Sequence, residues 1–226
     1  MRSFFLVKIT LFISIFYFYF LLKFKKLVSS EYEFYILKNF VKKNDSVLDV
    51  GSNIGRYTFQ LSSLVGKNGL VYSFEPMHRS FLILSSLIYL SGIKNIIPIN
   101  LAISNNTKKI LMQEQSSPLK NYLFDTNTGS KIVKKINKAS FYKYSFKIDN
   151  FNIKEKISFI KIDCEGHEIE VLSGAMKLIK KNKPILLVEN NSNQLKFFLK
   201  KNNYIEKKLN IKSRNTIFIN KKIKND

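Results

Sequence analysis

The sequence predicts an α/β fold of the doubly wound, Rossmann-like kind: a mostly parallel seven-stranded sheet with an antiparallel edge strand, helices on both faces and an apolar helix at the amino terminus. Three observations predict it. Short β-type runs alternate with stretches of helical periodicity along most of the chain. A glycine turn follows the first run and an acidic residue follows the second. The last two apolar runs have no helix between them, which favours an antiparallel edge.

The amino-terminal segment, residues 1–30, is predicted to be separate from the domain. Residues 4–22 are mostly apolar, have Lys8 as their only charge and are long enough to cross the hydrocarbon core as a helix. We therefore expect a single-pass membrane anchor, and the lysines on either side weakly favour a cytoplasmic domain. The alternative is an apolar helix that packs on the domain or mediates oligomerisation, for which a cytoplasmic protein is expected.

Residues 31–226 are predicted to form one domain. A short amphipathic stretch at 31–41 precedes the first strand, and a polar region at 104–147 is expected to insert a hairpin or loops over the sheet. Acceptor specificity is expected to lie mostly in this region. The predicted strands are 46–50, 70–74, 96–103, 157–162, 184–188, 204–209 and 216–219, and the predicted helices are 57–64, 80–90, 168–181 and 193–201.

Composition limits the classes of partner. Lys and Arg number 38 against 16 Asp and Glu, a formal net charge of +22, which raises nucleic acid as a partner. The lysines are spread singly and in pairs with no dense basic block, so the sequence does not favour nucleic acid. Cys164 is the one cysteine, which excludes an intrachain disulfide and a zinc cluster of thiolates.

The first chemical motif is VLDVGSNIG at 47–55, followed by Glu75 twenty positions after Gly55. In a doubly wound sheet, ligands bind at the carboxyl ends of the strands, where a glycine turn admits the cofactor and an acid after the second strand accepts ribose hydroxyls. The G-x-G-x-x-G and phosphate-loop patterns are absent. The residues predicted to bind a cofactor are Asp49, Gly51, Ser52, Asn53, Gly55, Glu75 and Asp163.

The second motif is KIDCEGHE at 161–168, where the fourth predicted strand ends and a helix begins. Together with the fifth strand's end, it is expected to bring acidic groups to the same rim as the glycine turn. Helix-start chemistry is the alternative for Glu165 and Glu168, because carboxylates favour the positive end of a helix dipole. The predicted catalytic residues are Asp163, as base or substrate positioner, then Glu165, Glu189 and His167.

These motifs resemble the FkbM-type methyltransferase family. Its pattern is matched by DVGSNIG at 49–55, FEP at 74–76, KIDCEGHE at 161–168, LSGA at 172–175 and LLVEN at 186–190. The resemblance spans roughly residues 31–219. It implies a class I methyltransferase domain that uses S-adenosylmethionine and methylates an oxygen, often on a sugar or secondary metabolite.

The implied reaction makes modest demands on the protein. The acceptor oxygen must be held in line with the methyl group, and its proton must be removed. A divalent cation held by Asp163, Glu189 and Asn190 would assist, but the sequence does not favour a metal. A small-molecule or glycan acceptor is expected. Two alternatives stay open: RNA ribose methylation using Lys161 and Asp163, and a non-catalytic membrane-bound scaffold of the same fold.

Overall fold

Two β-sheets organise the chain, and the larger one carries helices on both faces. The computed structural model describes residues 2–113, 131–133, 135, 140–189, 192–207 and 213–222. The strands are β1 (Ser46–Val50), β2 (Leu70–Phe74), β3 (Ile96–Ile99), β4 (Ala102–Ile103), β5 (Lys108–Gln113), β6 (Lys131–Ile132), β7 (Ser140–Phe146), β8 (Ile157–Ile162), β9 (Ile185–Glu189), β10 (Tyr204–Lys207) and β11 (Asn215–Asn220). The helices are α1 (Arg2–Lys23), α2 (Tyr32–Ile36), α3 (Arg56–Val65), α4 (His78–Ser91), α5 (Glu168–Gly174), α6 (Met176–Asn182) and α7 (Asn193–Lys201).

The larger sheet has the order β10-β11-β9-β8-β1-β2-β3. Strands β3, β2, β1, β8 and β9 are parallel to one another. Strand β11 runs antiparallel to both β9 and β10, so the sheet is mixed. The α/β prediction is confirmed, but the antiparallel strand is the penultimate one. It lies between β9 and β10 and pairs with both of them.

The central strands are buried on both faces, as parallel strands under two helical layers must be. All five residues of β1 are buried. Val47 packs with side chains of α3 and α4, whereas Leu48 and Val50 pack with α5, α6 and α7 on the other face. Each aliphatic side chain buried in this way contributes about 1.5–3 kcal/mol. This alternation therefore holds the end of β1 firmly in the middle of the molecule.

The second sheet has the order β4-β7-β5-β6, and three of these strands, β5, β6 and β7, come from the polar region at 104–147. The prediction of one strand over 96–103 is wrong, because β3 ends at Ile99. The Leu101 N–H donates to the Ile99 carbonyl at 3.0 Å, and this turn sends Ala102 and Ile103 to β7 of the second sheet. The inserted region thus covers one edge of the larger sheet's carboxyl side.

The predicted helix over 168–181 is divided into α5 and α6 at Ala175. A Cβ at Gly174 would come within 2.0 Å of the Ser104 carbonyl oxygen. This position therefore accepts only glycine, and the backbone of the inserted region packs directly on the helix. The break follows at Ala175, whose φ of −113° is not helical.

Helix α1 packs against α4 rather than standing alone. Phe18 is buried in the core on the α3 and α4 side, and Arg79 donates to the Ser14 hydroxyl at 3.0 Å. No helix in the described part of the chain combines the length and apolar character of a membrane span. The predicted membrane anchor at residues 4–22 is therefore wrong, and so is the single-pass localisation that depended on it. The division of the chain at residue 30 stays a prediction.

Candidate functional site

The turn after β1 joins three strand ends. The N–H groups of Gly51 and Ser52 both donate to the Phe74 carbonyl, at 2.9 and 3.0 Å, and Asp163 N–H donates to Val50. Gly51 has a φ of +82°, and a Cβ there would come within 1.8 Å of the Asp163 carbonyl oxygen. Only glycine allows this approach. The turn and the first residue after β8 are therefore in direct contact, as the two motifs predicted.

The turn continues with two more residues at positive φ. Asn53 has a φ of +51°, a conformation that asparagine adopts more readily than most side chains. Gly55 has a φ of +96° and begins α3, with Leu84 of α4 so near that a Cβ would come within 2.5 Å of it. Ser52 is buried, and its Oγ has no hydrogen-bond partner in the described structure.

Glu75 follows β2 and is held by backbone groups. Its Oε2 accepts from the Asn53 N–H and its Oε1 from the Met77 N–H, both at 2.7 Å. The residue is only 4% exposed. Burial raises the pKa of Glu75 to about 7, although the two backbone donors oppose that rise. The carboxyl group is thus fixed in place between the glycine turn and the start of α4.

Asp49 occupies a different environment. It is fully buried within β1, and its Oδ2 accepts from the Thr58 hydroxyl at 2.6 Å, which lies 3.1 Å from the Ser73 hydroxyl. Burial raises the pKa of Asp49, while Lys161 opposes the rise. Its contacts tie β1, β2 and α3 together beneath the turn. Its predicted role in cofactor binding stays a prediction.

Lys161 is a buried cation at the end of β8. It is 2% exposed, and its Nζ lies 2.9 Å from Asp163 Oδ2 and 4.5 Å from the centre of the Tyr57 ring. Burial alone would lower the pKa of Lys161, but Asp163 and Asp49 raise it above its ordinary value. The ammonium group therefore stays charged in the interior, and it compensates the carboxylates beside it.

Asp163 and Glu189 form a carboxyl pair at the ends of β8 and β9. Burial opposes ionisation of Asp163, but Lys161 and a hydrogen bond from Glu189 leave the pKa of Asp163 lowered. The same hydrogen bond, with burial and the charge of Asp163, raises the pKa of Glu189 to about 8. The pair holds one proton near neutral pH, and we assign that proton to Glu189 because Lys161 contacts Asp163.

The contacts of Glu168 favour the alternative in which this carboxylate stabilises the start of α5. Its Oε1 accepts from the N–H groups of Gly166, at 2.9 Å, and Cys164, at 3.3 Å. Glu165 is exposed and has a φ of +52°. Carboxylate oxygens of Asp163, Glu165 and Glu189 lie within 4.8 Å of one another, close enough for one cation. The sequence does not favour a divalent cation, and this expectation stays a prediction. Asn190, the remaining ligand considered from the sequence, lies outside the described residues.

His167 is engaged on both sides of its ring. Nε2 lies 2.9 Å from the Ser104 hydroxyl, and Nδ1 lies 3.5 Å from Glu170 Oε2. Burial lowers the pKa of His167, so the neutral ring predominates at pH 7. The side chain connects the start of α5 to the inserted region. Its predicted catalytic role stays a prediction.

A cavity at the carboxyl ends of β1, β2 and β8 brings most of these groups together. We call it the rim cavity. Its volume is about 130 Å³, below the roughly 300 Å³ of ordinary ligand pockets, and Met112 and Ile132 of the second sheet form part of its wall. Its wall does not include Asp49, Ser52, Gly55 or Glu189. The predicted residues in its wall are Gly51, Asn53, Glu75, Asp163, Glu165 and His167.

Sequence reasoning missed the structural partners behind the acidic pair. Lys161 lies in the second motif, but a role was predicted for it only in the RNA alternative, and none was predicted for Tyr57 or Glu31. Tyr57 donates to Glu31 Oε2 at 2.6 Å, so a polar chain runs from the linker after α1 to Lys161. The lysine in the strand run ISFIKI was the available signal, since a charge inside a buried strand needs a partner.

Comparisons with known proteins agree with this geometry. Residues 49–216 match the family model described as the methyltransferase FkbM domain. No sequence among the curated proteins matches the chain significantly. The match begins at Asp49 in β1 and ends within β11, so it includes the glycine turn, the second motif and the acidic pair.

Among solved structures, a methyltransferase FkbM from Methylobacillus flagellatus is similar with a TM-score of 0.55 and 17% identity. The similarity covers 78% of this chain and 44% of that one, so this chain spans less than half of its length. It supports the α/β Rossmann-like fold. A putative rRNA methylase from Clostridium thermocellum (TM-score 0.49, 18% identity, 82% and 89% covered) and an S-adenosylmethionine-dependent methyltransferase from Aquifex aeolicus (0.48, 16%, 87% and 95%) are more distant in structure.

Proposed function

The chain belongs to the methyltransferase FkbM domain family, and from this membership we propose that it transfers a methyl group from S-adenosylmethionine to a hydroxyl of a sugar, glycan or small metabolite. The observation that carries the proposal is the contact between the glycine turn and Asp163, which joins a cofactor-type turn to an acidic pair. The methyltransferase domain is proposed to comprise residues 31–226, with residues 104–147 inserted.

The cofactor is proposed to bind at the rim cavity with its ribose near Glu75. This fit rests on a carboxylate fixed by two backbone N–H groups and on a turn with three residues at positive φ. When bound, S-adenosylmethionine supplies an activated methyl group. The small volume of the cavity implies that side chains in its wall move to admit a nucleoside. Gly51, Ser52, Asn53 and Gly55 are proposed to form the turn beneath it, with Asp49 supporting the turn from below.

The acidic pair is proposed to handle the acceptor's proton. An alcohol does not ionise unaided near pH 7, so a base must take its proton as the methyl group is transferred. Asp163, held ionised by Lys161, accepts a hydrogen bond from the acceptor hydroxyl. The proton then passes from Asp163 along their shared hydrogen bond to Glu189, whose pKa is raised to about 8, once Glu189 is itself deprotonated. Catalytic bases work best with a pKa near the working pH, which favours Glu189 as the base.

Glu165 is proposed to contact the acceptor from the open side, since it is exposed and lies beside the pair. RNA ribose methylation is the weaker alternative. It needs Lys161 to face an acceptor, but Lys161 is buried and bonded to Asp163. A non-catalytic scaffold would have no use for an acidic pair compensated by a buried cation.

The test is release of S-adenosylhomocysteine over a panel of sugar, polyol and RNA acceptors, with binding of S-adenosylhomocysteine measured separately by calorimetry. We expect turnover with a hydroxylated small molecule or glycan and its loss in Asp163→Ala. Turnover on RNA alone would replace the proposed acceptor class. Absence of cofactor binding to the folded protein would exclude the methyltransferase activity itself.

A further inference from the structure

A second cavity lies beside the acidic pair, between the segment that follows α1 and the start of β11. Its volume is about 460 Å³, within the range of small-molecule sites. We call it the linker cavity. Its wall is formed by two short segments, residues 30–33 and 213–215. No function was predicted for either segment from the sequence.

Two connections place the linker cavity next to the proposed reaction. Asn215 in its wall is the strand partner of Glu189, so β11 begins directly beside the acidic pair. Glu31 in its wall accepts from Tyr57, whose ring contacts the Lys161 ammonium. The linker cavity is therefore at the same carboxyl edge of the sheet as the rim cavity, on the β9 and β11 side.

Glu33 is the residue that points to a ligand. It is 1% exposed and lines the linker cavity, and its Oε1 has no hydrogen-bond partner in the described structure. An unpaired buried carboxylate oxygen costs free energy that a ligand's hydroxyl donor would recover. The side chain is held in this position because α2 buries Phe34 beside it against Tyr57.

The rest of the wall indicates the ligand's chemistry. Glu31 and Glu33 accept hydrogen bonds, Arg214 and the Asn215 amide donate them, and Ser30 and Ser213 do both. Half-exposed Tyr32 adds an aromatic surface at the entrance. Mixed donors and acceptors with one aromatic ring suit a ligand with several neighbouring hydroxyl groups and little net charge.

We propose that the linker cavity binds the saccharide part of the acceptor, with Glu33 and Arg214 as residues that determine specificity. This inference rests on the proposed function, because it assigns the acceptor side of the same site. It assigns acceptor specificity to the two segments that line the linker cavity, whereas the sequence predicted it for the inserted region at 104–147. One hydroxyl of the bound sugar would then reach the acidic pair, while the others bind Glu33 and Arg214.

The experiment is saturation-transfer difference NMR of the full chain with methyl α-glycosides of glucose, galactose, mannose and rhamnose, in the presence of S-adenosylhomocysteine. We expect at least one glycoside to give a signal. Glu33→Met and Arg214→Ala should each weaken its binding by about tenfold, as loss of a hydrogen bond to a charged group predicts. Glu206→Met, the same change on an exposed carboxylate paired with Lys196, is the matched control and should leave binding unchanged.

Each outcome decides the proposal. No signal from any glycoside with the wild-type chain would overturn the saccharide assignment. Binding that persists in both variants would overturn the location. Arg214 is exposed, so Arg214→Ala keeps the location testable if Glu33→Met does not fold. Calorimetry with S-adenosylhomocysteine distinguishes failure of the saccharide site from failure of the proposed methyltransferase function. Intact cofactor binding without glycoside binding would refute the saccharide site alone.

Discussion

Glu75 and Asp163 are carboxyl groups at the same edge of one sheet, yet their surroundings shift their pKa values in opposite directions. Glu75 is held by backbone N–H groups, and burial raises its pKa to about 7. Asp163 has the Lys161 ammonium at 2.9 Å, and its pKa is lowered despite burial. Asp163 is less buried than Glu75 and lies beside a full positive charge, and both differences favour its ionised form.

This difference suits the two proposed tasks. A carboxyl group that binds ribose hydroxyls needs a fixed position, which backbone groups supply. A carboxylate that receives a hydrogen bond from an acceptor must remain charged, which a buried cation ensures. The predictions below test whether Glu75 serves cofactor binding and Asp163 serves methyl transfer, beginning with the largest expected effect.

The largest effect is expected from Asp163→Ala, which should lower turnover by about 10²–10⁴-fold because the acceptor loses its positioning carboxylate. Binding of S-adenosylhomocysteine should stay within about threefold of wild type, since Asp163 contributes its backbone to the turn. Single-turnover kinetics and calorimetry measure the two quantities. If Asp163→Ala lost as much cofactor affinity as Glu75→Ala, the proposed separate roles of the two carboxyl groups would be wrong.

Glu75→Ala should weaken binding of S-adenosylhomocysteine by about 100-fold or more, because charge-assisted hydrogen bonds contribute about 1.5–3 kcal/mol each. The Asn53 and Met77 N–H groups also lose their acceptor. Calorimetry at pH 8 provides the measurement, and circular dichroism checks that the variant is folded. Glu75→Gln keeps one acceptor oxygen, so its affinity for S-adenosylhomocysteine is expected to lie between those of wild type and Glu75→Ala.

Lys161→Met should lower the free energy of unfolding by about 3–5 kcal/mol, because breaking a buried pair leaves a charge uncompensated. Denaturant titration measures it. In the double variant Lys161→Met with Asp163→Asn the loss should be clearly smaller, since the carboxylate that needed the cation is also gone. Equal losses in the single and double variants would mean that Lys161 stabilises the fold through packing alone.

The pH profile should identify the titrating member of the pair. The pKa of Glu189 is raised to about 8, so the group is protonated below that pH and becomes a base above it. The rate of methyl transfer should therefore rise with pH and level off above about 8. Glu189→Gln should abolish this step and leave a flat profile. A step that persists in this variant would assign the proton to another group.

The smallest effect is expected from His167→Gln. Both ring nitrogens are engaged by Ser104 and Glu170, so the main cost should be about 1 kcal/mol of stability for a lost hydrogen bond. Turnover should change by less than about threefold, and the step near pH 8 should remain. A large loss of turnover with unchanged stability would instead support the catalytic role predicted for His167 from the sequence.

Local patterns predicted the frame of the site well. The run SVLDV, the glycine turn and Glu75 each occur where the structure has a strand, a turn and a strand end. The prediction failed where distant segments compete. The run at 96–103 is divided because Ala102 pairs with β7, a partner 43 residues away in the chain. The apolar segment at 4–22 packs on α4, and hydropathy alone does not reveal such a partner.

The sequence by itself determined the strand and helix periods, the glycines at positive φ and the family, because each depends on local conformation or on residue identity at fixed spacing. Only the tertiary structure decided that Lys161 compensates Asp163, that Glu189 carries the pair's proton and that Glu33 faces a cavity beside them. These features depend on burial and on distances between separate strands, and electrostatic energies change steeply with both. The residues were therefore visible in the sequence, whereas their charge states were set by the fold.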